Sequence, residues 1–327
     1  MQHHKTFPNP KVSVALATYN GEQFLLEQLA SLAAQSKPPC EVVIVDDGST
    51  DKTPELARSF AEDTDINVLY FENEVRLGYA KNFERAIDLC SGDYIFLCDQ
   101  DDVWEPHKVE RTLEVFETNP SKLVVINDAR LVNADLEDTG LSKLGQIKNS
   151  GQRVNQFVTG CCTAIRSDFK ELLLPIPDEV FVHDTWLHAL ACTLDARVVL
   201  DETLQLYRRH GKNASGANHS RLTTLSPRMV AEEMLRESSL VFARRQMSKI
   251  KQMKFRLSEV RARTEYPAIL PSALKDLEVA EQAVMARIAL LQQPRLRRIG
   301  PATLLAISGG YKVFSGWRSF VKDILIA

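Results

Sequence analysis

Residues 41–60 read EVVIVDDGSTDKTPELARSF, a pattern that holds a strand, a polar turn and the start of a helix. The apolar run at 41–45 predicts a strand of the kind that is buried in parallel sheets. The turn DDGS follows it directly. A helix is expected next, because Thr50 or Asp51 could cap its N-terminus and Pro54 falls in its first turn. This stretch therefore predicts one strand–helix unit of an α/β fold.

The same alternation runs along much of the chain. Further apolar runs predict strands at 12–17, 66–71, 94–98 and 122–126, and helical patterns lie at 22–34 and 79–89. This order predicts an α/β domain with a Rossmann-like, mostly parallel central sheet and helices on both faces. After about residue 222 the strong signals are helical, at 224–247 and 272–293. We therefore divide the chain into an α/β domain, 1–220, and a helical C-terminal appendage, 221–327.

Composition and charge restrict the class of protein. The chain has 327 residues, of which 44% are hydrophobic and 25% are charged, and its net charge is −3. These values are typical of a globular protein with a sizeable core, and they give no reason to expect nucleic acid as a partner. No apolar run reaches the roughly 18 residues of a membrane span, and the N-terminus lacks the apolar stretch of a secretory signal. We expect a cytoplasmic protein with reduced cysteines.

Polar residues follow three of the predicted strands, at the edge where ligands bind in parallel sheets. They read TYNG at 18–21, DDGS at 46–49 and DQDD at 99–102. Each alone could be an ordinary turn, and Asp102 could cap the helix expected near Pro106. Together they bring several carboxylates to one edge, where a cation would relieve their mutual repulsion. Mg²⁺ and Mn²⁺ prefer oxygen ligands and share them with phosphates, so the pattern indicates a metal–diphosphate site.

In these motifs the chain resembles the family 2 glycosyltransferases, which have the glycosyltransferase-A fold. The shared elements are ATYNG at 17–21, VDDGSTD at 45–51, LGYAKN at 77–82 and the DxD motif at 99–101. Two later motifs, HDTW at 183–186 and YRRHGKN at 207–213, resemble the bacterial rhamnosyltransferase-like branch. The resemblance covers roughly residues 10–215, and its specificity lies in the whole set rather than in one motif.

The resemblance implies a role for each matching residue. Asp184 would be the general base that takes a proton from the acceptor hydroxyl. Asp101 would hold Mn²⁺ or Mg²⁺ on the donor diphosphate, and His210 would add a metal or diphosphate contact. The implied nucleotide- and donor-binding residues are Thr18, Tyr19, Asn20, Asp46, Asp47, Lys81, Asp99 and Gly160. In this set Asp47, together with Asp46, would hydrogen-bond the base of the nucleotide, and Asp99 would approach the ribose or the donor sugar. The segment that contains Lys81 would cover the nucleotide.

Some of these residues also have a purely structural interpretation. Asp184 could cap the helix expected at 186–192, and His210 could be an exposed histidine of a polar loop. Trp186 is expected to pack in the core. The chain also departs from the family pattern, because His183 precedes Asp184 where many members have Glu, and Lys81 stands where Arg is common. Lysine keeps the positive charge but loses bidentate geometry.

The implied function is an inverting, metal-dependent glycosyltransferase of bacterial cell-surface polysaccharide synthesis. It would move a sugar from a nucleotide-diphosphate donor, such as dTDP-rhamnose, to a hydroxyl of a glycan or lipid-linked acceptor. One alternative is a nucleotidyltransferase, which would need a basic Gly-rich loop after the first strand, where this chain has TYNGEQF. Another is a non-catalytic sugar-nucleotide binding protein, which predicts loss of Asp101 or Asp184, although both are present.

The end of the chain combines basic and apolar residues. From residue 287 to residue 327 it has seven basic residues and one acidic residue, Asp323. Apolar residues recur at helical spacing from Val313 to Leu325. This pattern is typical of a helix on a membrane surface, and also of one docked on the protein's own core or on a partner subunit. The implied function favours peripheral contact with the cytoplasmic face of the inner membrane.

Overall fold

The computed structural model describes residues 9–180, 182–211, 213, 221–236, 238–261 and 270–325. The chain divides into two compact units, Met1–Ser226 and Pro227–Ala327. The domain boundary predicted after residue 220 falls in the stretch 214–220, which lies outside the described residues.

The first unit alternates strands and helices. Its strands are β1 (Val12–Thr18), β2 (Glu41–Asp46), β3 (Asn67–Glu72), β4 (Tyr94–Asp99), β5 (Val103–Trp104), β6 (Val124–Val132), β7 (Asp138–Ser142), β8 (Thr163–Arg166) and β9 (Arg197–Arg208). Its helices are α1 (Leu25–Ala33), α2 (Thr53–Asp63), α3 (Tyr79–Leu89), α4 (Lys108–Thr118), α5 (Lys143–Asn149), α6 (Lys170–Leu173) and α7 (His183–Thr193). The strands and helices predicted in this region are present, and β6 extends beyond the predicted end at 126.

The strands form one sheet in the order β3-β2-β1-β4-β8-β6-β9-β5, with β7 paired to β6. The strands β1 to β4 are parallel, and their register places Thr18 beside Asp46 and Ala17 beside Asp99. Strand β8 is antiparallel to β4 and β6, whereas β9 is parallel to β6. The predicted α/β class is confirmed, and the later strands make the sheet mixed. The polar motifs after β1, β2 and β4 therefore meet at one edge.

Helices on both faces explain why the central strands are continuous apolar runs. Val14, Ile44 and Phe96 belong to a core cluster that includes residues of α1, α2 and α4. Neighbours in a strand point to opposite faces, and Ala15 and Val43 are equally buried. Helix α3 contacts β1 and β2. Because the interior of the sheet is closed in this way, polar side chains collect at the strand ends.

The second unit is helical, as predicted. It contains α8 (Pro227–Arg236), α9 (Ser239–Arg261), α10 (Leu270–Leu291), α11 (Ile299–Ile307) and α12 (Trp317–Leu325). The pattern at 224–247 thus corresponds to α8 and the start of α9, and the pattern at 272–293 corresponds to α10. A cluster of buried residues that includes Ala243, Leu290 and Ala302 joins α9, α10 and α11.

One ion pair in this unit changes the charge expected at its surface. Asp323 is fully buried and accepts hydrogen bonds from Arg287 Nε at 2.7 Å and from the Tyr311 hydroxyl at 3.0 Å. Arg287 is itself buried, so it belongs to the core and not to a basic surface. A helix long and apolar enough to cross a membrane is not found among the residues that the structure describes.

Candidate active site

A cavity of about 990 Å³ opens at the edge of the sheet where β1, β2 and β4 end. Residues of α3, α5, α7 and β9 complete its wall. The predicted site residues that line it are Thr18, Tyr19, Asp47, Asp99, Asp101, Gly160 and Asp184. His210 is not among the lining residues, and its Nε2 is 2.8 Å from Asp101 Oδ2. Asn20, Asp46 and Lys81 lie outside the lining.

Asp46 is completely buried at the end of β2. Its carboxylate accepts hydrogen bonds from Thr18 Oγ1 at 2.7 Å, from the Ser49 amide at 2.7 Å and from the Ser49 hydroxyl at 2.6 Å. These bonds join the ends of β1 and β2 and occupy most of the acceptor positions of the carboxylate. The structure therefore corrects the prediction that Asp46 contacts the nucleotide, because this side chain holds the turn instead.

Asn20 is corrected for a similar reason. Its backbone is left-handed, with φ at 48°, a conformation that asparagine adopts more readily than most residues. Its Oδ1 accepts a hydrogen bond from the Thr50 amide at 2.8 Å, and its amide donates to Ser49 Oγ at 2.8 Å. Asn20 thus ties the end of β1 to the turn after β2, and it is not among the residues that line the cavity.

Asp47 lines the cavity and also anchors the segment before α3. Its Oδ1 accepts hydrogen bonds from the Leu77 amide at 2.7 Å and from Asn73 Nδ2 at 2.9 Å, and its Oδ2 accepts one from the Gly78 amide at 2.9 Å. Gly78 has φ at 82°, a conformation that favours glycine. With three hydrogen bonds made, about one acceptor position of the carboxylate remains for a nucleotide base.

Arg76 is a cavity residue that the sequence analysis missed. Its guanidinium lies 3.9 Å from the centroid of the Tyr19 ring, and its side chain is 63% exposed. Tyr19 is in turn fixed by Gln100, whose amide group both accepts from the Tyr19 amide at 2.9 Å and donates to the Tyr19 carbonyl at 3.0 Å. A cation stacked on an aromatic ring at the mouth of a cavity is suited to bind a nucleotide.

Lys81 takes a different place from the one expected. Its Nζ contacts Glu84 Oε2 at 2.9 Å, Asp178 Oδ1 at 3.0 Å and the Ile176 carbonyl at 2.6 Å. Lys81 and Glu84 line a separate cavity and are not among the residues that line the larger one, so the Lys81 side chain does not cover the nucleotide site. The local sequence offers both Arg76 and Lys81 near the LGYAKN motif, and only the path of the chain into α3 decides which cation faces the cavity.

The carboxylates after β4 have two different environments. Asp101 Oδ2 is 2.8 Å from His210 Nε2 and accepts a hydrogen bond from Asn213 Nδ2 at 2.9 Å. Asp102 is buried and accepts hydrogen bonds from Gln205 Nε2 at 2.8 Å and from the Arg208 amide at 3.1 Å. Asp102 therefore ties the β4 end to β9. The prediction that it caps the next helix is wrong, because α4 begins at Lys108 and is preceded by His107.

Burial and mutual repulsion act on these acids. Burial, followed by the charge of Asp101, raises the pKa of Asp99 to about 7, and the same two causes raise the pKa of Asp102 well above its usual range. One potential ligand atom from each of Asp99, Asp102 and Cys161 lies within 4.8 Å of the others. The oxygen donors suit Mg²⁺ or Mn²⁺, whereas the thiol does not, since hard cations prefer oxygen and burial raises the pKa of Cys161.

Asp184 lines the same cavity from the first turn of α7. The residue before the helix is Val182, and no side chain caps it, so the alternative that Asp184 is the cap is not supported. Its Oδ1 is buried and has no hydrogen-bond partner among the described residues. Trp186 is buried and donates a hydrogen bond to the Leu173 carbonyl at 3.0 Å, which confirms that it packs in the core.

Gly160 gives His183 its place beside Asp184. A Cβ atom at Gly160 would lie 2.4 Å from His183 Nε2, so a larger residue would displace the imidazole. The imidazole stacks on Phe83 with ring centroids 4.1 Å apart, and burial lowers the pKa of His183 to about 4. His183 is therefore neutral near pH 7 and lines the cavity with no hydrogen bond to the described residues.

Comparison with known proteins assigns the chain to a family. The model of the family described as "Glycosyl transferase family 2" matches residues 13–173. The dTDP-rhamnosyl transferase RfbG of Shigella flexneri is 30% identical over 225 residues, which are 63% of this chain and 75% of RfbG. The chain belongs to glycosyl transferase family 2. The matched segment contains the family motifs at the ends of β1, β2 and β4, and the predicted membership is confirmed.

Other relatives of this family 2 chain are less informative about substrate. The uncharacterized protein Rv1520 of Mycobacterium tuberculosis is 28% identical over 218 residues, which span 65% of this chain and 62% of the relative. The crystal structure of Staphylococcus aureus TarS 1-349 with UDP has a TM-score of 0.54 at 17% identity, and covers 96% of this chain and 89% of TarS 1-349. The mannosyltransferase PcManGT of Pyrobaculum calidifontis, in complex with GDP-Man and Mn²⁺, has a TM-score of 0.51 at 17% identity, covering 97% and 87%. These structural similarities confirm the fold.

Proposed function

We propose that this protein transfers a sugar from a nucleotide-diphosphate donor to a hydroxyl of an acceptor, with inversion at the anomeric carbon. One observation carries the proposal: Asp184 lines the same cavity as Asp99 and Asp101, and its buried Oδ1 has no hydrogen-bond partner among the described residues. A base and a cluster of oxygen donors that line one cavity match what a direct displacement requires.

The chemistry follows from Asp184 and from the carboxylates after β4. The acceptor hydroxyl oxygen attacks the anomeric carbon while the Asp184 carboxylate takes the proton from that hydroxyl. The nucleoside diphosphate leaves from the opposite side of the anomeric carbon. Asp101, with Asp99 and His210, would hold Mn²⁺ or Mg²⁺. Such a cation offsets the negative charge on the departing diphosphate. Tyr19, Arg76 and the remaining acceptor position of Asp47 would bind the nucleotide.

We further propose dTDP-rhamnose as the first donor to test. The support is the name of the Shigella relative, a dTDP-rhamnosyl transferase. The acceptor would be a glycan or a lipid-linked glycan in bacterial cell-surface polysaccharide synthesis, for which the putative teichuronic acid biosynthesis glycosyltransferase TuaG of Bacillus subtilis, 35% identical over 106 residues, adds support.

A transfer assay tests the proposal. The full chain is incubated with dTDP-rhamnose, UDP-GlcNAc or GDP-mannose and Mn²⁺, and release of the nucleoside diphosphate is measured with and without a mixture of lipid-linked glycans. Asp184→Asn should slow the best of these reactions by about 10² to 10⁴-fold, the range expected for loss of a general base. Asp178→Asn is the matched control, because Asp178 is 92% exposed and lies outside the cavity lining.

Two outcomes of the assay would contradict parts of the proposal. Transfer at the normal rate by Asp184→Asn would exclude Asp184 as the base. Transfer that persists in excess chelator would exclude a metal role for Asp101. A chain that binds nucleotide sugars but transfers nothing to any acceptor or to water would favour the non-catalytic binding protein.

We also propose peripheral contact of the second unit with an anionic membrane surface. Helix α11 has no charged residue, and its apolar residues Leu304 and Ile307 are 70% and 79% exposed. Trp317, at the start of α12, is 72% exposed. Arg295 and Arg297 are exposed just before α11. Apolar side chains next to cations suit a bilayer with anionic headgroups.

Flotation with phosphatidylglycerol vesicles tests the membrane contact. The intact chain should float, and Leu304→Ser with Trp317→Ser should remain in the lower fractions. Phe255→Ser is the control, because Phe255 is a similarly exposed apolar residue on α9. An intact chain that does not float would overturn the membrane proposal and leave the transferase proposal intact.

A further inference from the structure

Lys143 is a buried cation on the wall of the cavity. It is the first residue of α5, and 2% of it is exposed. Its Nζ lies 3.5 Å from the centroid of the Tyr207 ring. Within the part of the chain that the structure describes, Nζ has no hydrogen bond to a carboxylate, hydroxyl or carbonyl oxygen. The ammonium therefore keeps its hydrogen-bond donors available toward the cavity.

A second buried lysine shows how this fold satisfies an ammonium that serves structure alone. Lys108 is 1% exposed and lies outside the cavity lining. Its Nζ donates to the Cys161 carbonyl at 3.0 Å and also to Gln205 Oε1, and it stacks on the Trp104 ring. Lys108 and Lys143 are equally buried and both contact an aromatic ring. Lys143 differs in that its Nζ has no oxygen acceptor among the described residues and in that it lines the cavity.

The folded chain compensates Lys143 only in part: its charge acts to lower the pKa of the nearby Asp99 carboxyl, but its Nζ has no hydrogen bond to an oxygen of the described residues. A buried ammonium is unfavourable unless it is paired or hydrogen-bonded, and contact with the Tyr207 ring offsets only part of this. The first turn of a helix disfavours a cation further, because the helix dipole is positive there. An ammonium group at such a place is expected to find its hydrogen-bond acceptor on a ligand. The chemistry of that partner is anionic oxygen.

The cavity itself indicates which anion. Asp99 and Asp101 would bind a cation that accompanies a phosphate group, and Lys143 supplies a positive charge in the same cavity. Two positive centres around one site suit the oxygens of a diphosphate better than a neutral sugar. We propose that Lys143 Nζ binds an oxygen of the second phosphate of the donor and stabilises the departing nucleoside diphosphate. This inference rests on the proposed function, because it assumes that a nucleotide-diphosphate donor occupies the cavity.

Calorimetric binding of dTDP and dTMP at one fixed Mg²⁺ concentration tests the inference. The ratio of the two dissociation constants reports the contribution of the second phosphate. Lys143→Met should reduce the preference for dTDP about tenfold, the loss expected for one charged hydrogen bond, and should leave dTMP affinity unchanged within about twofold. Lys143→Arg should keep part of the preference. Lys148→Met, on the exposed side of the same helix, should change neither constant.

A measurement on the unmodified chain guards against variants that fail to fold. Reductive methylation of lysines is followed by mass spectrometry, with and without each nucleotide. Protection of Lys143 by dTDP but not by dTMP supports the inference, and equal modification under all conditions overturns it. An unchanged dTDP preference in folded Lys143→Met would also overturn it, while normal dTDP binding would leave the proposed function standing. Failure of the native chain to bind dTDP, UDP or GDP would overturn both.

Discussion

The strands β2 and β4 end at the same edge of the sheet, and each is followed by closely spaced aspartates. After β2, Asp46 and Asp47 accept three hydrogen bonds each from amide and hydroxyl groups of the chain. After β4, Asp99 has its pKa raised to about 7 by burial and by the nearby charge of Asp101. Asp46 and Asp47 therefore have their partners within the chain. Asp101 and Asp102 also accept hydrogen bonds from the chain, but Asp99 is crowded by the like charge of Asp101.

This difference separates a structural role from a ligand-binding one. Carboxylates that accept several hydrogen bonds from the chain hold turns in place, and their loss should lower the stability of the fold. Carboxylates that repel each other reduce stability until a cation or ligand arrives, and their loss should show in binding. The motifs DDGS and DQDD look equivalent in the sequence. We predict that substitutions in DDGS change mainly the stability of the fold, whereas substitutions in DQDD change mainly ligand binding.

The largest effect on stability is expected at Asp46. Asp46→Asn replaces one acceptor oxygen with a donor that faces Thr18 and Ser49 hydroxyls, so we expect the free energy of unfolding to fall by about 3 kcal/mol. Urea unfolding measures this. Asp65→Ala, at an exposed position, should change it by less than about 0.5 kcal/mol. A loss at Asp46 no larger than at Asp65 would contradict the structural role.

The next effect is a pH dependence from His183, which lines the same cavity as Asp99. Its folded pKa of about 4 lies below the unfolded value of 6.5, so its contribution is fully present above pH 6.5 and is lost as the pH falls toward 4. The loss amounts to up to about 3 kcal/mol. Unfolding at pH 7, 5.5 and 4.5 should show a flatter dependence in His183→Gln than in the native chain. The exposed His107 provides the control, since His107→Gln should retain the native slope.

A smaller effect of opposite sign is expected at Asp99. In buffer without divalent cations, Asp99→Asn removes a partly buried charge that is repelled by Asp101, so the free energy of unfolding at pH 7.5 should rise by about 1 kcal/mol. The same substitution at Asp46 lowers it. Unfolding curves for the two variants, collected side by side, compare the strand ends directly. A decrease for both would mean that the β4 carboxylates are as structural as those after β2.

The smallest effect concerns Arg76. Arg76→Ala removes an exposed cation from the Tyr19 ring, so stability should change by less than about 0.5 kcal/mol. Affinity for dTDP should fall by about threefold to tenfold, because a cation–π and phosphate contact is lost. Calorimetry checks this. Lys81→Ala should leave affinity unchanged, and the reverse result would restore Lys81 to the nucleotide site.

The parallel half of the fold could be predicted because β1, β2 and β4 are buried on both faces and appear as continuous apolar runs. Strand β9 was not predicted, since its sequence RVVLDETLQLYR mixes polar and apolar residues and its pairing with β6 is long-range. The DxD acids and Asp184 were predicted from motifs. Lys143 was not, because it reaches the cavity only through the tertiary placement of α5.

The corrected residues show the same limit. Asp46 and Lys81 are of the residue types expected in a binding site, but both bind other residues of the folded chain. Local sequence identifies groups that are able to bind a ligand. Hydrogen bonds made in the folded chain decide which groups remain available.

The most direct test of the contrast between the strand ends is the thermal midpoint of the chain with dTDP and UDP, with and without Mn²⁺. A ligand that binds the native state raises the midpoint by mass action. We predict a rise that requires Mn²⁺ and that disappears in Asp101→Asn. An equal rise in chelator or in Asp101→Asn, or no rise with any nucleoside diphosphate, would contradict the assignment of the β4 carboxylates to a metal-bound diphosphate.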